Sequence, residues 1–134
     1  MIVPAFTFIA SVNVISLAGA KPVLVDVDPQ TFTLDPDAIP KAITSNTKAI
    51  LPVHIYGHPV DMNSIIDIAK QYNLKILEDS AQALGSKIDG RHVGTMGDIG
   101  VLSFYPDKAI TLGEGGLLLT NSKDSFKSYT VSVD

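Results

Sequence analysis

Short runs of aliphatic and β-branched residues recur along this chain, and segments with helical spacing fill two of the gaps between them. Pro22 to Asp28 (PVLVDVD), Lys48 to Tyr56 (KAILPVHIY), Leu74 to Glu78 (LKILE), Ile99 to Tyr105 (IGVLSFY) and Gly116 to Thr120 (GLLLT) each read as a strand buried on both faces. Pro52 weakens the middle of the second run, because proline cannot donate to a ladder. Asp35 and Pro36 offer an N-cap and a first-turn proline, after which Ala38, Ile39, Ala42 and Ile43 repeat on one face. Asp61 caps a second helical run, in which Ile65, Ile66, Ile68 and Ala69 recur before Tyr72 and Asn73 end it. Lys87 to Val93 (KIDGRHV) carries an Asp-Gly turn between short flanks and predicts a small hairpin. Buried strands alternating with amphipathic helices predict an α/β fold with a mostly parallel sheet flanked by helices.

Composition agrees with such a fold. The chain has 134 residues, of which 46% are hydrophobic and 18% charged, so residues 1–134 are expected to form a single domain around an apolar interior. A net charge of -4 with no run of Lys or Arg offers no phosphate neutralisation, and nucleic acid is excluded as a partner. The absence of cysteine removes disulfides, thiolate metal sites and a cysteine nucleophile. The start has no basic n-region, and no apolar run approaches the ~20 residues of a membrane span. A soluble, cytoplasmic protein is expected.

In open α/β sheets, ligands gather beyond the carboxyl ends of the strands. The third run ends in Glu78, Asp79, Ser80, Ala81 and Gln82, and the fourth in Ser103 to Lys108, with Gly113, Glu114, Gly115 and Gly116 soon after. A lysine in a glycine-rich loop past a strand end loses its proton when the site is dry, and a neutral amine forms a Schiff base with an aldehyde. An aldehyde cofactor of the pyridine type also needs its ring nitrogen protonated, which an adjacent carboxylate secures. Raising that nitrogen's pKa by ~3 units corresponds to about 4 kcal/mol. Asp79 stands at a suitable strand end.

Taken singly, these residues have ordinary explanations. A strand-end aspartate caps turns, a loop lysine is a solvated charge, and a glycine cluster makes a tight turn. His54 and His58 flank a strand end with Gly57 and Pro59 instead of sharing a helix face, so all three histidines are read as structural or peripheral and no metal site is expected. Phe8 alone reads as a core aromatic.

As a set, the strings resemble the DegT/DnrJ/StrS family of pyridoxal-phosphate (PLP) sugar aminotransferases, which share the aspartate-aminotransferase fold. The stretches that carry the resemblance are PAFTFIASVNVISLAGAKPVLVDVDPQTF, AITSNTKAILPVHIYGHPVDMNSIIDIAKQYNLKILEDSAQALGS and GDIGVLSFYPDKAITLGEGGLLLTN, in family order and spacing. By resemblance, Lys108 is the Schiff-base lysine and Asp79 the partner of the pyridine nitrogen. Gln82 falls near the cofactor's phenolic oxygen, Ser103 on its phosphate, and Phe8 against its ring. The DKAI string at Lys108 departs from the family's usual TKN-type continuation.

The resemblance implies amino transfer from a donor such as glutamate to a nucleotide-linked keto sugar, by a protein that is a homodimer when full length. Histidine would replace Lys108 in relatives that dehydrate sugars. Family members are longer, so the chain is expected to be an internal, truncated part of the large cofactor domain. Their phosphate-holding turn precedes the equivalent of residue 1, and the 134 residues alone are expected to hold PLP weakly. The competing expectation is a catalytically inactive truncated or regulatory relative that keeps only the fold.

Overall fold

A computed structural model describes residues 1–123. Its strands and helices, in chain order, are β1 (Ile2–Pro4), α1 (Ile9–Leu17), β2 (Val23–Val25), α2 (Ile39–Ala42), β3 (Ala49–Ile50), α3 (Met62–Tyr72), β4 (Lys75–Asp79), β5 (Lys87–Ile88), β6 (Arg91–His92), β7 (Ile99–Ser103) and β8 (Gly116–Leu119). Six strands form one sheet in the order β2-β1-β3-β4-β7-β8. Every pairing is parallel except that of β8, which runs antiparallel to β7. The expected α/β class with a mostly parallel sheet is therefore what forms, with one strand more than the apolar runs announce.

The extra strand is β1. Its three residues, Ile2, Val3 and Pro4, are all buried, but a run this short, ending in proline, gives no alternation to read. Helix α1 is likewise silent in the sequence, because IASVNVISL is apolar nearly all round and has no polar stripe; only Ser11 and Ile15 of it are buried.

Pro52 shortens the second run as its chemistry requires. The ladder of β3 stops at Ile50, yet the chain stays extended: Asp79 N–H donates to Pro52 O at 2.9 Å, and His54 N–H donates to Asp79 O at 3.0 Å. Proline keeps its carbonyl acceptor, so the backbone of Asp79 is pinned on both sides of the residue.

The first helical segment is broken in two. Pro36–Ala38 is a 3-10 turn whose Asp35 cap accepts from Asp37 N–H, and α2 adds only four residues, with Pro40 unable to donate an N–H. Helix α3 follows its signals: Asp61 Oδ1 accepts from Ser64 N–H at 3.1 Å, and Asn73 closes the helix in the left-handed region at φ 52°. The hairpin forms between β5 and β6, with Asp89 and Gly90 both at positive φ, as a two-residue primed turn demands.

The sheet divides the core. On one face Ile2, Val25, Ile39, Ile50, Met62, Ile65 and Ile76 belong to a single buried cluster with α2 and α3. On the other, Val3, Ile15, Leu51, Val53 and Ile55 form a smaller cluster under α1. Along β4 the pleat sends Ile76 and Glu78 inward, fully sheltered, and leaves Leu77 and Asp79 half-buried on the α1 side. That side carries the site.

Candidate active site

A cavity of about 700 Å³ lies on the α1 side at the carboxyl ends of β1, β4 and β7. Its lining includes Phe8, Asp79, Gln82, Ser103 and Lys108, so all five residues singled out in the sequence meet in one place. Phe8 arrives as the residue that caps α1, Asp79 and Gln82 at and just beyond the end of β4, Ser103 at the end of β7, and Lys108 in the loop that returns to β8.

Asp79 is held at both carboxylate oxygens. The Ser11 hydroxyl donates to Oδ2 at 2.7 Å, and Ala81 N–H donates to Oδ1 at 3.1 Å. Ser11 in turn accepts from the Thr7 hydroxyl at 3.1 Å. Neither Thr7 nor Ser11 is legible as a site residue in the sequence, since Ser11 is one of three polar residues in α1, with Asn13 and Ser16. Each oxygen of Asp79 keeps a lone pair for a further donor.

Gln82 anchors the neighbouring loop: its Oε1 accepts from Tyr56 N–H at 2.9 Å. Tyr56 needs that anchor, since it sits in the left-handed region at φ 52°. With Oε1 so engaged, the amide NH2 of Gln82 is the end left as a donor. Ser103 Oγ accepts from Tyr105 N–H at 3.3 Å, and its own hydroxyl proton remains available to a ligand. Lys108 Nζ lies 3.1 Å from Asp107 Oδ1, with the lysine side chain 18% exposed and the aspartate 67%. The lysine is therefore the sheltered member of the pair. Phe8 is 64% exposed, which overturns the core reading of it: its ring borders the cavity instead of filling the interior.

Behind Asp79, on the inner face of β4, Glu78 is fully buried. Its carboxylate accepts from Gly94 N–H at 2.7 Å, Met96 N–H at 2.6 Å and Gly97 N–H at 2.5 Å, and from His54 Nε2 at 3.2 Å. His54 Nδ1 accepts from Val60 N–H at 3.1 Å, so the proton of the ring is on Nε2 and points at Glu78. Burial pushes the Glu78 carboxyl up, but the His54 ring and the three N–H groups outweigh it and hold it below the usual glutamate range. The histidine is structural, as its sequence context implies; its partner Glu78 was legible only as one polar residue of a strand end.

This donor and acceptor set suits PLP. A fixed carboxylate matches a protonated ring nitrogen, an exposed phenyl face matches a flat heterocycle, and an amide NH2 and a hydroxyl match phenolic and phosphate oxygens. A sheltered amine matches the aldehyde. Among the described residues no cluster of His, Cys, Asp and Glu could hold a metal ion, and no helix is long and apolar enough to cross a membrane.

The model of the DegT/DnrJ/EryC1/StrS aminotransferase family matches residues 1–131. The GDP-perosamine synthase of Escherichia coli O157:H7 is 51% identical over 123 residues, which are 92% of this chain and 34% of that protein. Among solved structures, the aminotransferase from Psychrobacter cryohalolentis is 45% identical with a TM-score of 0.88, over 90% of this chain and 31% of its own. DesV of S. venezuelae, solved in complex with a ketimine intermediate, is 41% identical with a TM-score of 0.90, over 94% of this chain and 34% of its own. The chain spans about a third of the length of the curated relatives it matches.

Proposed function

The chain belongs to the DegT/DnrJ/EryC1/StrS aminotransferase family, and on that premise we propose that it forms the cofactor-holding part of a PLP-dependent sugar aminotransferase. The reaction is transfer of an amino group from an amino acid such as glutamate to a nucleotide-linked keto sugar, in a cytoplasmic homodimer. The observation that carries this reading is the meeting of Asp79 and Lys108 on one cavity with Phe8, Gln82 and Ser103.

When bound, PLP supplies an aldehyde for attachment to an amine and a protonated ring that withdraws electrons from the amino carbon. The residues of this chain supply the rest. Lys108 would hold the aldehyde through its amine and, as a free amine, would serve as the base that takes and returns a proton. Asp79 would face the ring nitrogen and stabilise a proton there. Gln82 presents its NH2 to the phenolic oxygen, since Oε1 already serves Tyr56. Ser103 donates its hydroxyl to the phosphate, and Phe8 fixes the plane of the ring.

Titration of the protein with PLP, followed in the visible, tests the reading. A visible band that appears in the wild-type protein and is lost in Lys108→Ala supports it; an unchanged band in Lys108→Ala overturns the assignment of the lysine.

A further inference from the structure

We propose that Ser11 is a positioning residue that acts through Asp79, holding its carboxylate in place so that the proton between it and the cofactor stays on the ring nitrogen. The inference rests on the PLP reading above and deepens it, since nothing in the sequence points to Ser11.

Three observations carry it. Ser11 is 5% exposed, one of only two buried residues of α1, so its hydroxyl has been withdrawn from water to meet Asp79. The Ser11 hydroxyl donates its single proton to Asp79 Oδ2 at 2.7 Å. The Thr7 hydroxyl then donates to Ser11 Oγ at 3.1 Å, and the resulting chain from Thr7 through Ser11 to Asp79 is polarised toward the carboxylate throughout.

The consequence follows from proton linkage. One proton shared between Asp79 and a ring nitrogen resides either on nitrogen, leaving a charged pair, or on the carboxyl, leaving a neutral pair. Donation from Ser11 stabilises a carboxylate more than a protonated carboxyl, because the bond to the charged form is the stronger one, so it favours the charged pair. Removing the hydroxyl moves the proton toward oxygen, and the ring withdraws electrons less well. The same segment also sets the ring's other contact, because Phe8 lies between Thr7 and Ser11 and borders the cavity with both.

The test uses protein loaded with PLP carrying nitrogen-15 in the ring, whose resonance reports whether that nitrogen is protonated. The wild type is expected at the protonated position, and Ser11→Ala is expected to move toward the unprotonated one. The rate of amino transfer should fall about tenfold while KM for the donor changes little. Ser11→Thr, which keeps the hydroxyl, is expected to restore both. Thr7→Val, which removes only the outer link, should move the resonance in the same direction by less. Borohydride labelling of Lys108 in each variant separates the two levels of the argument. If Lys108 is labelled and the resonance stays at the wild-type position in both Ser11→Ala and Thr7→Val, the role of Ser11 is overturned and the cofactor reading stands. If Lys108 is not labelled even in the wild type, both fall.

Discussion

His54 and Glu78 meet at 3.2 Å with both side chains fully buried, directly behind the strand end that carries Asp79. The His54 main chain donates to the Asp79 carbonyl while its ring donates to Glu78, so one residue holds two consecutive positions of β4. Truncation of Glu78 would leave the N–H groups of Gly94, Met96 and Gly97 and the His54 ring without their acceptor. Glu78→Ala is expected to destabilise the protein by about 3–5 kcal/mol, the range for removing one partner of a buried charged network, and chemical denaturation would measure it.

The same carboxylate gives the acid limb of stability a defined sign. Glu78 titrates below the usual glutamate range when folded, so its contribution is present above its ordinary value of 4.5, and is lost as pH falls through the folded value. Asp98 acts in the same direction: burial pushes it up, but Lys75 Nζ at 2.7 Å and Ile76 N–H at 2.9 Å outweigh this and hold it low. Denaturation midpoints are expected to be level from neutral pH down to about pH 5 and to fall below that. In Glu78→Gln the fall should be shallower; an equally steep fall would remove Glu78 from the acid limb.

Gly100 in β7 lies against the backbone of Gly94, where an added Cβ would overlap main-chain atoms that cannot rotate away. Gly94 itself holds a φ of +83° and donates to Glu78. Gly100→Ala is therefore expected to cost about 3 kcal/mol or more and to loosen the Glu78 cradle with it. Thermal unfolding checks this, with Gly90→Ala as the contrast: that glycine has positive φ but no atom within 4 Å of the added Cβ, so only backbone strain of about 1 kcal/mol is expected there.

How far this was legible in the sequence depended on the kind of signal. Helix α3 and the hairpin were plain, because Asp61, Asn73 and the Asp89-Gly90 pair act within a few residues of themselves. β1 and α1 were not, since a three-residue strand and a helix whose few polar residues make no stripe have no period; their burial is decided by neighbours distant in the chain. The five site residues could be named from strand-end position and family order, but their partners could not. Ser11 reaches Asp79, Tyr56 reaches Gln82 and Gly94 reaches Glu78 only after the sheet has brought separate segments together. Phe8 shows that the two kinds of signal differ: taken alone, an aromatic near the amino terminus reads as core, whereas family order sets it against the cofactor, and its ring borders the cavity.

The proposed homodimer is open to direct measurement. Phe8, Ile9, Val14, Leu17 and Leu24 are exposed apolar residues of α1 and its surroundings. Sedimentation of the protein is expected to give a dimer, the commonest symmetric assembly. A fully active monomer would contradict that part of the reading.

The central claim is that Lys108 is the residue to which the cofactor attaches, and chemical trapping tests it most directly. The full-length protein is loaded with PLP, reduced with borohydride, digested, and its peptides are mapped by mass spectrometry. The expected result is a pyridoxyl group on Lys108, with none on any other lysine. A pyridoxyl group on another lysine, with Lys108 unmodified, would contradict the account.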